Sequence, residues 1–357
     1  MKYLFFGLTC LLFVTTTAFT QDRVVPIDSL KGRGELVDGE REGRWLFFDQ
    51  RGQVVQRGEF ENGKQQGRWQ FFNDYGGLLG VGHYEEGEPD GEWKFYFING
   101  QLKSISHFKN GTRDSTYLEY HYNGKKSVEG YYQSGVESGV WKSYFESGRI
   151  YSAGKYKNGL KDGLWKYYNE AGTLMAEGNY KLDLEDGQWF KYHDTGQLES
   201  VGSFVMGEED GLWGLFYVNG QLMQEETWEV GLLRQVSKFY TITGDSIAGG
   251  TLKNGYGDRM TYYPTGEIES KGSYQNGLPS GSWLYYFPNG NKLSEGAMTN
   301  GYREGEWTLY YDNGNVESKG NYERGEKIGS WSFYSRAGKL IEKVNHKSQT
   351  AVAEDSP

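Results

Sequence analysis

The sequence predicts an all-β protein, an elongated single-layer antiparallel array of about thirteen 24-residue β-hairpin repeats. Three observations predict it: tryptophan recurs at steps of 24, a glycine-bearing corner follows at fixed offsets, and no helical apolar period appears beyond residue 20. Composition agrees. Glycine supplies 53 of 357 residues and the rings number 11 Trp, 29 Tyr and 19 Phe, whereas Pro is only 6. So many aromatics argue against disorder, and collagen would need glycine at every third position with abundant proline. Mean hydropathy is -0.74 because tyrosine carries much of the apolar surface.

The chain reads in order as follows. Residues 1–20 have the pattern of a secretory signal peptide: Lys2, an apolar core from Tyr3 to Val14, then small residues near Ala18 and Thr20. That core is shorter than the roughly 20 residues a membrane span requires, and no later segment could span, so no transmembrane segment is expected after signal cleavage. Cys10 lies inside it, which leaves residues 21–357 without a thiol for disulfides or metal. Residues 21–33 form a leader, 34–345 the repeat array, and 346–357 an expected disordered tail.

Within the array Trp stands at 45, 69 and 93, at 141, 165, 189 and 213, and at 283, 307 and 331. Tyr117, Ser237 and Arg259 occupy the same slot, with a step of 22 between the last two, so 237–259 is an irregular break. Three residues after every slot stands an aromatic, seven after it a glycine, and fifteen after it usually another large residue. Each unit therefore reads as a hairpin whose corners carry Asn-Gly pairs such as 62–63, 158–159 and 276–277, residues that tolerate positive φ cheaply. If the residues four and nine after the slot pair, Trp faces the glycine thirteen after it. The glycine two before it then faces the ring at fifteen. Each ring would lie across a bare glycine, which explains glycines inside strands they would otherwise weaken. Lone hairpins are marginal in water, so units must stabilise their neighbours.

The run Gly154-Lys-Tyr156-Lys-Asn-Gly159-Leu-Lys-Asp-Gly163-Leu-Trp165-Lys-Tyr-Tyr168 resembles the MORN repeat, in the bacterial variant type also found in antitoxin-like MORN-variant repeat proteins. The common MORN unit has Trp where Tyr156 stands and Gly where Trp165 stands; both changes fit the variant and weaken any transfer of lipid binding. The resemblance covers about residues 34–345 and implies a scaffold. Bacterial cell-wall-binding repeats are similar in their Trp-Tyr-Tyr hairpins, but their period is nearer twenty and they lack the Asn-Gly-x-x-x-Gly corner.

Chemistry-bearing residues are sparse. His83 and His107 occupy equivalent slots one hairpin apart, about 10 Å, too far to share a zinc ion. Acids recur three before the slot, at Glu42, Asp90, Asp114, Asp162, Asp186, Asp210 and Glu304, where corner chemistry explains them better than calcium does. No nucleophile elbow, phosphate loop or Cys/His dyad is present, so neither catalytic residues, metal nor cofactor are expected. A net charge of -10 removes the main electrostatic term for nucleic-acid binding. The candidate binding residues are the ring rows, represented by Trp141, Trp165, Trp189, Trp213, Tyr144, Tyr168 and Tyr192, although the same rows could be the core of a thin sheet.

The expectation is an exported protein of the periplasm, cell surface or extracellular space: a non-catalytic scaffold for protein–protein binding or spacing. Its partner would be an unidentified protein or an envelope polysaccharide. The alternatives are a cell-wall or glycan-binding module using the Trp and Tyr rows, and an antitoxin-like neutraliser of a partner toxin, the latter implied by the family resemblance.

Overall fold

The computed structural model describes residues 26–346. The signal-peptide residues, the leader up to 25 and the expected tail from 347 onwards lie outside the described part, whereas His346, assigned to the tail, ends the last strand. Within it the chain is all-β: one 3-10 turn, Ile27–Ser29, precedes a succession of antiparallel hairpins. The first strand, Lys31–Val37, begins three residues before the expected start of the array at Gly34, and its Leu36 is exposed. Twelve of the thirteen expected units form full two-strand hairpins, and the unit on Ser237 is reduced to short pieces.

Two kinds of corner alternate. Inside a unit the chain turns through three residues, as at Glu146-Ser147-Gly148, where Phe145 N–H donates to Arg149 O at 2.9 Å and Gly148 takes φ of 87°. This is the turn that ends in a left-handed residue and makes a bulge. Between units the corner has two residues, both at positive φ, as at Asn276 (51°) and Gly277 (80°). Such a primed turn matches the twist of the strands it joins.

The chain divides into two compact units, residues up to 138 with 146–148, and residues 139–145 with 149 onwards. In the first, consecutive strands pair in chain order from Lys31–Val37 to Lys126–Gln133, and Trp45, Phe47, Phe60, Trp69, Phe71, Tyr84, Trp93, Phe95 and Phe108 form its core, with Ile27 and Leu30 packed against them. In the second, hairpins follow one another to Leu232–Val236, give way to a short pair, Phe239–Tyr240 with Ser246–Ile247, and resume from Gly257–Tyr262 to Leu340–His346.

The expected facing pairs are present: Trp165 pairs with Gly178 and Gly163 with Tyr180. The closing pair differs. Tyr168 pairs with Leu174, six residues on, because a bulge between Tyr167 and Tyr168 absorbs one residue of the returning strand. Two further expectations are corrected. The ring lying on each in-strand glycine belongs to the following unit, not to the same hairpin: a Cβ on Gly154 would stand 2.1 Å from the Trp165 indole, and one on Gly178 2.1 Å from that of Trp189. The glycine two before each Trp makes room for no ring at all. A Cβ on Gly187 would meet nothing within 4 Å; its φ of 73° is the reason for the glycine. It sits where the ladder to the preceding strand skips from Gly178↔Trp189 to Asn179↔Asp186. A bulge therefore opens every regular unit.

Candidate binding surface

Because side chains alternate across a strand, Trp and the residue two after it share one face, while the residues one and three after it share the other. The ring fifteen after the slot joins the Trp face. There the rings form an edge-to-face chain: Trp165 to Tyr180 (6.2 Å, 85°), Tyr180 to Trp189 (5.1 Å, 88°), Trp189 to Phe204 (6.2 Å, 88°) and Phe204 to Trp213 (5.0 Å, 82°). Such geometry adds about 0.5–1.5 kcal/mol per pair beyond the burial of the rings. Eight indole N–H groups turn back to the carbonyl of the residue after the glycine they cover: Trp189 to Asn179 at 3.0 Å, Trp307 to Ala297 at 2.9 Å, and likewise Trp45, Trp69, Trp93, Trp165, Trp213 and Trp331. These eight buried indoles are thereby satisfied at the point where the bulge interrupts the ladder, whereas the buried Nε1 of Trp283 has no hydrogen-bond partner.

The tryptophans singled out from the sequence are therefore core. Trp141, Trp165, Trp189 and Trp213 are 8%, 4%, 2% and 6% exposed, which leaves no ring face for a ligand. Tyr144, Tyr168 and Tyr192 lie on the opposite face and are half-buried. Tyr192 Oη donates to Glu177 Oε1 at 3.0 Å, and Lys166 Nζ lies 2.9 Å from Glu177 Oε2. The Lys166 ammonium, with help from the phenol, holds Glu177 below the usual carboxylate range. Equivalent pairs recur, with Tyr310 donating to Glu295 and Arg57 standing over the Phe72 ring at 5.1 Å. The outward face is thus a lattice of rings, lysines and carboxylates tied from one hairpin to the next.

The rim of the ring face carries charge at the slot four before Trp. Lys161 Nζ lies 4.6 Å from the centroids of both Trp165 and Tyr180 and donates to Tyr167 Oη at 2.9 Å. Arg41, Arg113, Arg303 and Lys327 stand over rings in the same way. Such contacts are cation–π attractions. In the next two units the slot holds Glu185 and Glu209, and burial, reinforced by Glu209, pushes the Glu185 carboxyl up.

Three of the recurrent acids three before Trp act as turn caps. Glu42 accepts from Asn62 N–H at 3.0 Å, Asp210 from Val230 N–H at 3.2 Å and Glu304 from Arg324 N–H at 3.0 Å. His107 and His193 are hydrogen-bonded to backbone carbonyls, Thr116 and Phe216. Among the described residues no group of three or more His, Cys, Asp or Glu could hold a metal ion.

At the break, sequence reading missed a buried polar network. Glu226 stands where a regular unit has its covered glycine, and Arg259 stands in a Trp slot; they form an ion pair that is nearly fully buried. Trp228 Nε1 donates to Glu226 Oε2 at 3.1 Å and Arg259 Nη1 to Tyr274 Oη at 3.3 Å. The signal was available: Ser237, at the slot that would cover residue 226, has no ring, so a side chain fits there. Beside it an open hollow of roughly 440 Å³ is lined by Val236, Ser237, Lys238, Ser246, Ile247 and Ala248, and offers no acid–base pair.

The fold and its ring core define a β-hairpin repeat scaffold. Seven segments, residues 41–62, 89–110, 137–158, 161–182, 185–206, 256–276 and 303–324, match the model of the MORN repeat variant, so the chain carries repeats of that type along its length. No curated protein matches the chain in sequence. Among solved structures it is similar to TcdB2-TccC3 without its hypervariable C-terminal region, at 12% identity over 88% of this chain and 20% of that one, with a TM-score of 0.19. It is also similar to the Photorhabdus luminescens Tc holotoxin pore, at 13% identity over 92% of this chain and 20% of that one, with a TM-score of 0.14. The chain spans about a fifth of the length of these structures, and at such TM-scores the likeness carries no argument. Among the described residues no helix is long and apolar enough to cross a membrane.

Proposed function

We propose that this chain is an exported, non-catalytic scaffold of the periplasm, cell surface or extracellular space that works by binding a protein partner. The observation that supports this most is the commitment of the rings. In every regular unit Trp and its edge-to-face neighbours are used up as core, so what the repeats offer outward is an ordered lattice of Tyr, Lys and Glu, recurring about every 10 Å. A surface of that kind suits recognition spread over several units better than chemistry at one point.

Two experiments test the reading. Residues 1–20 fused to a reporter active only outside the cytoplasm should give activity; a silent fusion overturns the export. Residues 21–357, immobilised and exposed to envelope extract separated into protein and polysaccharide, should retain a protein that then binds saturably when purified. Retention of polysaccharide alone would replace the protein scaffold by a glycan-binding module, whose available rings would be Tyr144, Tyr168 and Tyr192.

A further inference from the structure

The corners between units carry a departure from the repeat that the fold does not require. Seventeen residues after each slot from Trp45 to Trp307 stands the first residue of the two-residue turn, and it lies at positive φ in all twelve. Nine of these positions hold polar residues, six of them Asn, the side chain that visits this conformation most cheaply. In three successive units of the second body the position holds Leu182 (55°), Met206 (52°) and Val230 (44°). A bulky side chain here is unusual, and a β-branched one is an outlier. Nothing in the chain repays it, because the three are 62%, 68% and 54% exposed. An observed outlier of this kind points to function.

The three corners form one edge. Each turn is hydrogen-bonded to the strand start of the turn before it: Asp183 N–H to Lys161 O at 3.2 Å, Gly207 N–H to Glu185 O at 2.9 Å and Gly231 N–H to Glu209 O at 2.8 Å. Leu184, just after the first of these corners, and Leu160, just after the preceding Asn158–Gly159 corner, are also exposed and extend the apolar line. Between the first and last corner the charge is one-sided, with Lys181 just before Leu182 and Arg234, paired with Glu229, just beyond Val230. Residues 182–230 contain eleven carboxylates and a single cation, Lys191, whereas the rest of the chain balances at 37 of each. The whole net charge of -10 therefore resides in the segment that bears the apolar corners. Asp183, Glu185, Glu208 and Glu209 flank them directly.

We infer that the corner edge Leu182–Met206–Val230 is a docking site for a basic amphipathic helix of a protein partner, a proposal that rests on the scaffold reading above and names the partner's chemistry. The spacing selects a helix. Successive units advance by two strands, about 9.6 Å. Residues i and i+7 of a helix lie about 10.5 Å apart on one face, whereas an extended strand has no residue at that distance on the same side every time. Three apolar anchors a heptad apart would meet Leu182, Met206 and Val230 in turn. Lysines and arginines beside them would meet the flanking carboxylates, which steer the encounter and fix its orientation.

The test uses the full chain and a labelled leucine–lysine peptide of three heptads with its leucines on one face, followed by fluorescence anisotropy. The comparison protein carries Leu182→Asn, Met206→Asn and Val230→Asn together. These substitutions install the residue that six other corners use, leave the charge unchanged and should leave the melting temperature equal or raise it. The expected result is binding at least tenfold tighter to the natural chain than to the triple variant, with a scrambled peptide of equal composition also at least tenfold weaker. Equal binding to both proteins overturns the apolar edge, and equal binding of both peptides overturns the helix in favour of charge alone. A natural chain that dimerises by light scattering while the triple variant is monomeric would assign the edge to a second copy and overturn the proposal. A partner recovered by affinity capture that the triple variant binds equally well would overturn the edge but leave the scaffold standing.

Discussion

The indole of Trp189 lies flat against Gly178, so close that a Cβ on the glycine would stand 2.1 Å from the ring, although the two residues belong to different hairpins. The same relationship joins Gly34 to Trp45, Gly58 to Trp69, Gly82 to Trp93, Gly202 to Trp213, Gly272 to Trp283, Gly296 to Trp307 and Gly320 to Trp331. It is the contact that welds each unit to the next. Where it is relaxed, both members change: Ser106 replaces the glycine and pairs with Tyr117, a smaller ring. Gly178→Ala should therefore destabilise the chain by about 2–3 kcal/mol, the upper part of the usual range for overpacking. The double variant Gly178→Ser, Trp189→Tyr should recover part of that loss. Denaturant melts of the three proteins check it, and a double variant no better than the single would show that the two positions are not coupled.

Ser115 occupies the bulge position that glycine holds in the other regular units, and it does so at φ of 82°. A non-glycine residue in this region costs on the order of 1–2 kcal/mol. Ser115→Gly should stabilise by about 1 kcal/mol, part of the gain being offset by the greater freedom of the unfolded chain. The midpoint of urea unfolding is the measurement.

The Arg259–Glu226 pair fills the irregular unit with charge. Removing one partner strands the other in a dry site, a loss of about 3–5 kcal/mol, whereas replacing both by apolar residues can be neutral. Glu226→Gln should lower the melting temperature sharply, and Glu226→Met with Arg259→Leu should restore most of it. Hydrogen exchange around Tyr274, which Arg259 also contacts, should report the same order.

High pH should unfold the protein through its tyrosines. Burial pushes the phenols of Tyr84, Tyr132 and Tyr285 up to about 12. Unfolded tyrosine ionises near pH 10. Between about pH 10 and 12 the folded state then binds more protons than the unfolded one, so the contribution of these residues is intact below pH 10 and lost as pH rises through their folded values. Circular dichroism against pH should show loss of structure in that window. Tyrosinate absorbance of the folded chain should lag behind that of the chain in denaturant, and superimposed titrations would contradict the burial.

Acid acts on a different set. The Lys292 ammonium and the Tyr310 phenol hold Glu295 below its ordinary range, as Lys166 and Tyr192 do Glu177. Both carboxylates contribute stability that is present above their unfolded values and lost as pH falls through their folded ones. Glu177→Gln with Glu295→Gln should flatten the stability profile below about pH 4.3, the ordinary glutamate value.

Much of this architecture was legible in residues alone. A period of 24 set the unit, Asn-Gly at its corners set the primed turns, and the two together set the facing of Trp165 with Gly178 and of Gly163 with Tyr180. The strand period of two already placed Trp189 and Tyr192 on opposite faces, three residues apart. Leu182, Met206 and Val230 were visible as the gap in the series of corner asparagines between Asn158 and Asn254, but only their exposure gives the gap a meaning.

What the tertiary structure decided was direction and burial. Spacing cannot say which way a ring leans; the bulge at Gly187 and Gln188 opens the ladder to the preceding strand, and the Trp189 indole closes over that strand and takes its free carbonyl. Nor can spacing say that Trp141 and its equivalents are closed to solvent, since a ring row on a single sheet is exposed unless its neighbours cover it edge to face. The ion pair of Glu226 and Arg259 lay further still from the sequence, 33 residues apart and formed only because the unit between them is reduced. Repetition fixes local pairing, which depends on a few adjacent residues, whereas covering a face depends on how successive units pack.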